Sequence, residues 1–141
     1  MSAETHRWIE IERPATGVFV ARNARGGELR VTPGLDDPAF TPVELLLAAI
    51  ATCSAADVDV ITGRRAQPES FTARVDAHKV RDEGGNILRD IVLSFRVVFP
   101  TGADGDAARE ALPRAVQVSH DRTCTVSRTV QAEVPIEVRV D

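Results

Sequence analysis

Two cysteines stand in this chain, and their surroundings differ. Cys53 closes the most apolar stretch, Leu45-Leu46-Leu47-Ala48-Ala49-Ile50-Ala51-Thr52-Cys53. Cys124 follows about seventy residues later in a polar, basic segment, Ser119-His120-Asp121-Arg122-Thr123-Cys124. A thiol in an apolar helix and a second in a charged loop suggest a pair that does redox work. The competing reading makes Cys53 a small core hydrophobe and Cys124 an incidental surface thiol.

The thiolate is the reactive form, and apolar surroundings raise a thiol pKa. Cys53 therefore needs a group that favours its charge. A nearby guanidinium would do this, and Arg13, Arg22, Arg25 and Arg122 are the candidates. Cys124 can join Cys53 in a disulfide only if the two Cα atoms come within roughly 7 Å. His120 and Cys124 are four apart, and with Cys53 they would make a three-ligand metal set. No Cys-x-x-Cys or His-x-x-x-His supports that, so neither metal nor cofactor is expected. The glycine pairs at 26–27 and 84–85 read as turns and indicate no nucleotide site.

The elements that must carry these residues read as α+β. Residues 7–32 suggest a three-stranded meander broken at Pro14-Ala15-Thr16-Gly17 and Gly26-Gly27. A loop rich in Pro and Gly covers 32–40. Thr41, Pro42 and Glu44 then form a Thr-x-x-Glu capping box with proline at the first helical position. That helix should run from Pro42 to about Thr62 and lie buried at the centre, because its apolar residues wrap most of its circumference. Glu44 has two readings: a cap, or a site residue that holds an arginine over Cys53. Asp57 is read as a cap, an arginine partner or part of a pocket, and Asp59 as solvated.

Phe71, Ala73, Val75 and Ala77 alternate with polar residues, and after a turn at Glu83-Gly84-Gly85-Asn86 so do Ile91, Leu93, Phe95, Val97 and Phe99, except at Val92 and Val98. They predict a hairpin. A second helix is expected over Asp104–Val118, kinked or broken at Pro113. A helical turn after Cys124 and a last strand with Ala132, Val134, Ile136, Val138 and Val140 on one face complete the chain.

The 141 residues fit one domain, 1–141. A formal charge of −4 with scattered arginines argues against a nucleic-acid surface. The polar start Met1-Ser2-Ala3-Glu4-Thr5-His6-Arg7 has no signal-peptide core, and the longest unbroken apolar run, Leu45–Ala51, falls far short of a span of ~20 residues. A cytoplasmic protein is expected, with no membrane partner.

Two segments carry a resemblance. Thr41-Pro42-Val43-Glu44-Leu45-Leu46-Leu47-Ala48-Ala49 through Cys53 to Asp57-Val58 resembles the first-cysteine helix of the OsmC/Ohr family, in the subgroup with a Pro-x-Glu-Leu motif. Arg114 through Ser119-His120-Asp121-Arg122-Thr123-Cys124 to Val126 is similar to its second-cysteine segment. The resemblance implies an OsmC-like fold, with antiparallel sheets wrapped around two central helices in an intertwined homodimer whose active sites lie at the subunit interface. It implies a peroxiredoxin-like reduction of organic hydroperoxides as an antioxidant stress defence. Cys53 would be the attacking thiol, Cys124 the resolving one, and a dithiol such as a lipoyl group the reductant. In the organic-hydroperoxide-resistance branch the acid that partners the active-site arginine directly follows the proline. Here that position is Val43, while Glu44 points about 100° away around the helix. That branch's arginine follows its first strand, where Arg13 is a loose match. The second function left open is a non-catalytic dimer that binds a small apolar ligand or senses redox state.

Overall fold

The computed structural model describes residues 5–141, so the start of the polar N-terminal segment lies outside the described residues. The chain forms two compact units, Met1–Leu46 and Leu47–Asp141.

In the first unit the meander is present as β1 (Ile9–Ala15), β2 (Val18–Asn23) and β3 (Glu28–Val31), antiparallel and in the order β1-β2-β3. Thr16 and Gly17 make the tight turn between β1 and β2, and Gly17 takes φ 72°, a left-handed backbone that suits glycine. The whole of β1 is exposed, Ile9 and Ile11 included. The loop to the next helix is tied by Arg30, which grips Asp37 with two hydrogen bonds of 2.8 and 3.0 Å.

Helix α1 (Pro42–Gly63) starts where the capping box predicts. The Thr41 N–H donates to Glu44 Oε1 at 2.9 Å and the Glu44 N–H to Thr41 Oγ1 at 3.2 Å, which satisfies two donors otherwise orphaned at a helix start. The expected all-round burial of α1 is not found. Only Ile50, Ser54, Val58 and Thr62 are buried, four apart along one stripe, while Leu46 and Val60 are exposed. By length and composition α1 could cross a membrane (mean hydropathy 1.7 over its most apolar window), but Asp57 within it is hydrogen-bonded to two side chains of the second unit.

The predicted hairpin is β4 (Ser70–Asp82) with β5 (Gly85–Val98), joined by Glu83-Gly84. Phe71 and Phe95 share its inner face and meet edge to face, with ring centroids 6.1 Å apart. The register passes from Asp76↔Val92 to His78↔Arg89, so β5 carries one extra residue there, and Asp90 sits at φ 54°. At the bulge the strict alternation lapses, and both Ile91 and Val92 are exposed.

Helix α2 (Ala103–Val118) runs without interruption through Pro113, where a break was expected. Pro113 and Arg109, whose carbonyl it leaves without an intrahelical donor, both lie on the exposed side, so water can take the lost bond. The irregularity comes later, as a π-helical turn, Ser119–Thr123, closed by the Cys124 N–H donating to the Ser119 carbonyl at 2.9 Å. Helix α3 (Thr125–Gln131) follows. The last predicted strand is not one in this chain. Val134, Ile136, Val138 and Val140 are 56%, 89%, 80% and 92% exposed, and the segment pairs with no strand among the described residues. Its alternation is strand-like, but a strand needs a neighbour for its backbone groups.

Candidate active site: two thiols beside an apolar cavity

The second unit places Cys53 and Cys124 against one another. Cys53 is half-buried on α1, and Cys124 is fully buried as the N-cap of α3. Both are free thiols, close enough for each to alter the other's ionisation. The start of α3 serves both sulfurs. Its Val126 and Thr125 N–H groups favour the charged form of Cys53, and its Ser127 N–H donates to Cys124 Sγ at 3.4 Å. The Ser127 hydroxyl lies 3.2 Å from the same sulfur.

The two thiols ionise differently. Burial pushes Cys53 up. The Val126 and Thr125 N–H groups oppose that rise, and Cys124 adds to it. Burial also pushes Cys124 up, but the Ser127 hydroxyl and N–H together with the Cys53 thiol outweigh it. Cys124 ends below an ordinary cysteine despite a nearby Asp57. Within residues 47–141 no guanidinium is among the influences on Cys53.

A cavity of about 420 Å³ lies in this unit, walled by apolar side chains that include Ile50, Leu93, Phe95 and Val116. The bulge at Asp90 sets both Ile91 and Val92 in its wall. Ser54 and Ser127 also line it; the first follows Cys53 in sequence and the second touches Cys124. The unit thus holds an apolar space, of a size that suits a small organic molecule, whose lining reaches Cys124 through Ser127, and two thiols that can interconvert with a disulfide.

A hydroxyl network links α1 to the π-turn before Cys124. Ser119 Oγ is 2.8 Å from Asp57 Oδ2 and 3.1 Å from Ser54 Oγ, and Thr123 Oγ1 is 2.9 Å from the same Asp57 oxygen. A hydroxyl has one proton and a carboxylate only accepts, so Ser119 donates to Asp57 and Ser54 donates to Ser119.

The other predicted residues sit as follows. Arg13, exposed on β1, donates to Thr16 Oγ1 at 3.1 Å. Glu44 is engaged in the cap of α1. Arg22 pairs with Glu12 and Glu28. Arg122 is exposed on the π-turn, two residues before Cys124. His120 lines the cavity, and no metal-binding cluster of three or more His, Cys, Asp or Glu occurs among the described residues. Ser54, Ser119, Thr123 and Ser127 were not singled out from the sequence. The Cys124-x-x-Ser127 spacing, that of a helix N-cap and its third residue, was the available signal for one of them.

The family model for OsmC-like protein matches residues 34–139, and the chain belongs to that family. An uncharacterized Mycobacterium tuberculosis H37Rv protein, Rv2923c, is 27% identical over 137 residues, 96% of each chain. An OsmC-like protein of unknown function from Vibrio cholerae is similar in fold, with a TM-score of 0.73 at 14% identity, over 90% of this chain and 94% of that one. So is an organic hydroperoxide resistance protein OsmC from Legionella pneumophila, with a TM-score of 0.56 at 19% identity, over 92% of each chain.

Proposed function

We propose that this chain is a thiol-dependent reductase of organic hydroperoxides, acting in oxidative-stress defence. The observation that carries the reading is that Cys53 and Cys124 influence each other's ionisation in the unit that holds a largely apolar cavity, with Ser127 both lining that cavity and touching Cys124. Cys53 is the more exposed sulfur and is assigned the attack. Its thiolate takes the outer oxygen of the hydroperoxide, giving a Cys53 sulfenic acid and an alkoxide that leaves as the alcohol after protonation. Cys124 then displaces water from the sulfenic acid to close a disulfide, and a dithiol, of lipoyl type in this reading, restores both thiols. Arg13, the loose match to the branch arginine, and Glu44 as its holder stand as candidates for orienting the peroxide. The Legionella protein's name, organic hydroperoxide resistance protein, supports the substrate class.

The working form in this reading is a cytoplasmic homodimer. Three uncovered apolar surfaces support a second copy: the faces of α1 around Leu46 and Val60, the exposed β1, and the alternating segment 134–140 that lacks a ladder partner. Titrating free thiols after adding tert-butyl hydroperoxide tests the reductase. Wild-type protein should lose both thiols and regain them with a dithiol; unchanged thiol content would end the enzyme reading.

A second reading has two specific observations in its favour. The Cys53 thiol is held up, away from its reactive form, and Val43 stands where the related branch has its acid. A dimer that binds a small apolar ligand, or senses redox state, would oxidise only at the rate of an ordinary thiol and would not turn over with dithiols.

A further inference from the structure

Asp57 has no part in the peroxide chemistry described above, yet it ties the two cysteine segments together. It lies four residues after Cys53, one turn along the same face of α1. One of its oxygens, Oδ2, accepts from Ser119 at 2.8 Å and from Thr123 at 2.9 Å. These are the first and last residues of the π-turn, and Cys124 comes next. The turn is thus pinned to α1 at both ends by a single carboxylate oxygen.

We propose that Asp57 is a positioning residue for disulfide closure: it clamps the Ser119–Thr123 turn onto α1 and so holds Cys124 within bonding range of Cys53. π-Helical turns are rare and appear mostly as single-turn bulges at functional sites. This one has two side-chain tethers, and both are charge-assisted hydrogen bonds. Ser119 is fully buried, so loss of Asp57 removes the charged acceptor of a hydroxyl that water does not reach. The charge of Asp57 opposes ionisation of Cys124. A carboxylate placed there to activate the thiol would be placed wrongly, whereas one placed to hold the turn is placed well.

The proposal rests on the reading of Cys53 and Cys124 as a redox pair. The step it governs is closure. The Cys53 S–O bond breaks, the S–S bond forms, and the Cys124 thiol proton leaves with the hydroxyl as water. The hydroperoxide that made the sulfenic acid is the only oxidant required.

The test uses the full chain as wild type, Asp57→Ala, Asp57→Asn and Thr123→Val. Sulfenic acid formed by tert-butyl hydroperoxide is trapped with a cyclic 1,3-diketone and counted by mass spectrometry, alongside disulfide closure. Asp57→Ala should form sulfenic acid at the wild-type rate, close the disulfide about tenfold more slowly or worse, and accumulate the trapped adduct. Thr123→Val, which keeps Asp57 and one tether, should fall between. Asp57→Asn keeps an acceptor oxygen without the charge. It should slow closure less than Asp57→Ala, and the Cys124 titration should move to lower pH, which a purely structural loss would not produce. Should Asp57→Ala fail to fold, the other two variants carry the test. Diamide, which oxidises dithiols without a sulfenic acid, separates the two proposals. A wild type that closes with diamide but not with hydroperoxide ends the reductase reading, and slow closure of Asp57→Ala with diamide still supports the clamp. Wild-type closure rates in all three variants with both oxidants overturn the clamp.

Discussion

The segment that carries Cys53 and the segment that carries Cys124 solve the same problem in opposite ways. Cys53 sits in the middle of a regular 22-residue helix whose own backbone bonds are made within it. Nothing on α1 stabilises its charge, and the N–H groups that reach it come from α3. Cys124 sits where regular structure stops, between a π-turn and a short helix, with a hydroxyl and an N–H of Ser127 on its sulfur. The irregular segment thus makes the more acidic thiol, and the regular one makes the more accessible thiol. Reactivity needs both properties, and this pair divides them between two residues.

Replacing each cysteine breaks the comparison most directly. Cys53→Ser should lower hydroperoxide turnover by about a hundredfold or more, because the sulfur that receives the oxygen is gone. Cys124→Ser should consume one equivalent of hydroperoxide and stop with a sulfenic acid on Cys53. If Cys53→Ser instead keeps a fast single turnover and Cys124→Ser loses it, acidity outranks access, and the roles are reversed. Rapid-mixing measurements of hydroperoxide loss against enzyme decide between these outcomes.

Thiolate absorbance sharpens the same contrast without any substrate. With Cys53→Ser, the remaining Cys124 should ionise at lower pH than a free cysteine. With Cys124→Ser, the remaining Cys53 should ionise at higher pH, since burial disfavours its charged form. Rates of attack by Cys53 should then rise as pH increases through the raised value. A titration in the reverse order would remove the electrostatic half of the comparison.

Seating of the irregular segment depends on the start of α2, which delivers it. Gly105 is buried there, and a Cβ on it would run into the Pro100 carbonyl oxygen, a backbone atom that cannot swing aside. Gly105→Ala should cost about 1–3 kcal/mol in chemical denaturation. It should also slow disulfide closure more than sulfenic acid formation, because the strain is carried into the Cys124 side of the site.

What the sequence made legible follows the same division. Regular elements announce themselves through periodicity and caps. The Thr41-Pro42-Val43-Glu44 start, the β4–β5 hairpin and the stop near Gly63 all stand where the pattern places them. The pairing of the cysteines was readable as a hypothesis from two motifs. The π-turn was not, because its i→i+5 bond has no composition of its own, and the break expected at Pro113 falls six residues away at Ser119. Nor did alternation in 134–140 reveal whether a partner strand exists, since period two reports a face and not a neighbour. The one-sided burial of α1 has the same origin: apolar residues all round a helix state that it favours cover, but not what covers it.

The smallest expected effect bears on Glu44, where capping and chemistry compete for one side chain. Its carboxylate already accepts the Thr41 N–H at 2.9 Å. If that is its whole role, Glu44→Gln keeps an acceptor at the same place and should leave stability almost unchanged, while Glu44→Ala should cost about 1 kcal/mol. Neither should change hydroperoxide turnover per folded molecule. If Glu44 also holds an arginine over Cys53, Glu44→Gln should keep its stability and lose turnover, because the neutral amide retains the cap but not the charge. Denaturation and turnover measured on the same two variants therefore separate the roles. A loss of turnover in Glu44→Gln would show that the regular segment also supplies charge to its thiol, and the contrast with the Cys124 segment would then be one of distance rather than of kind.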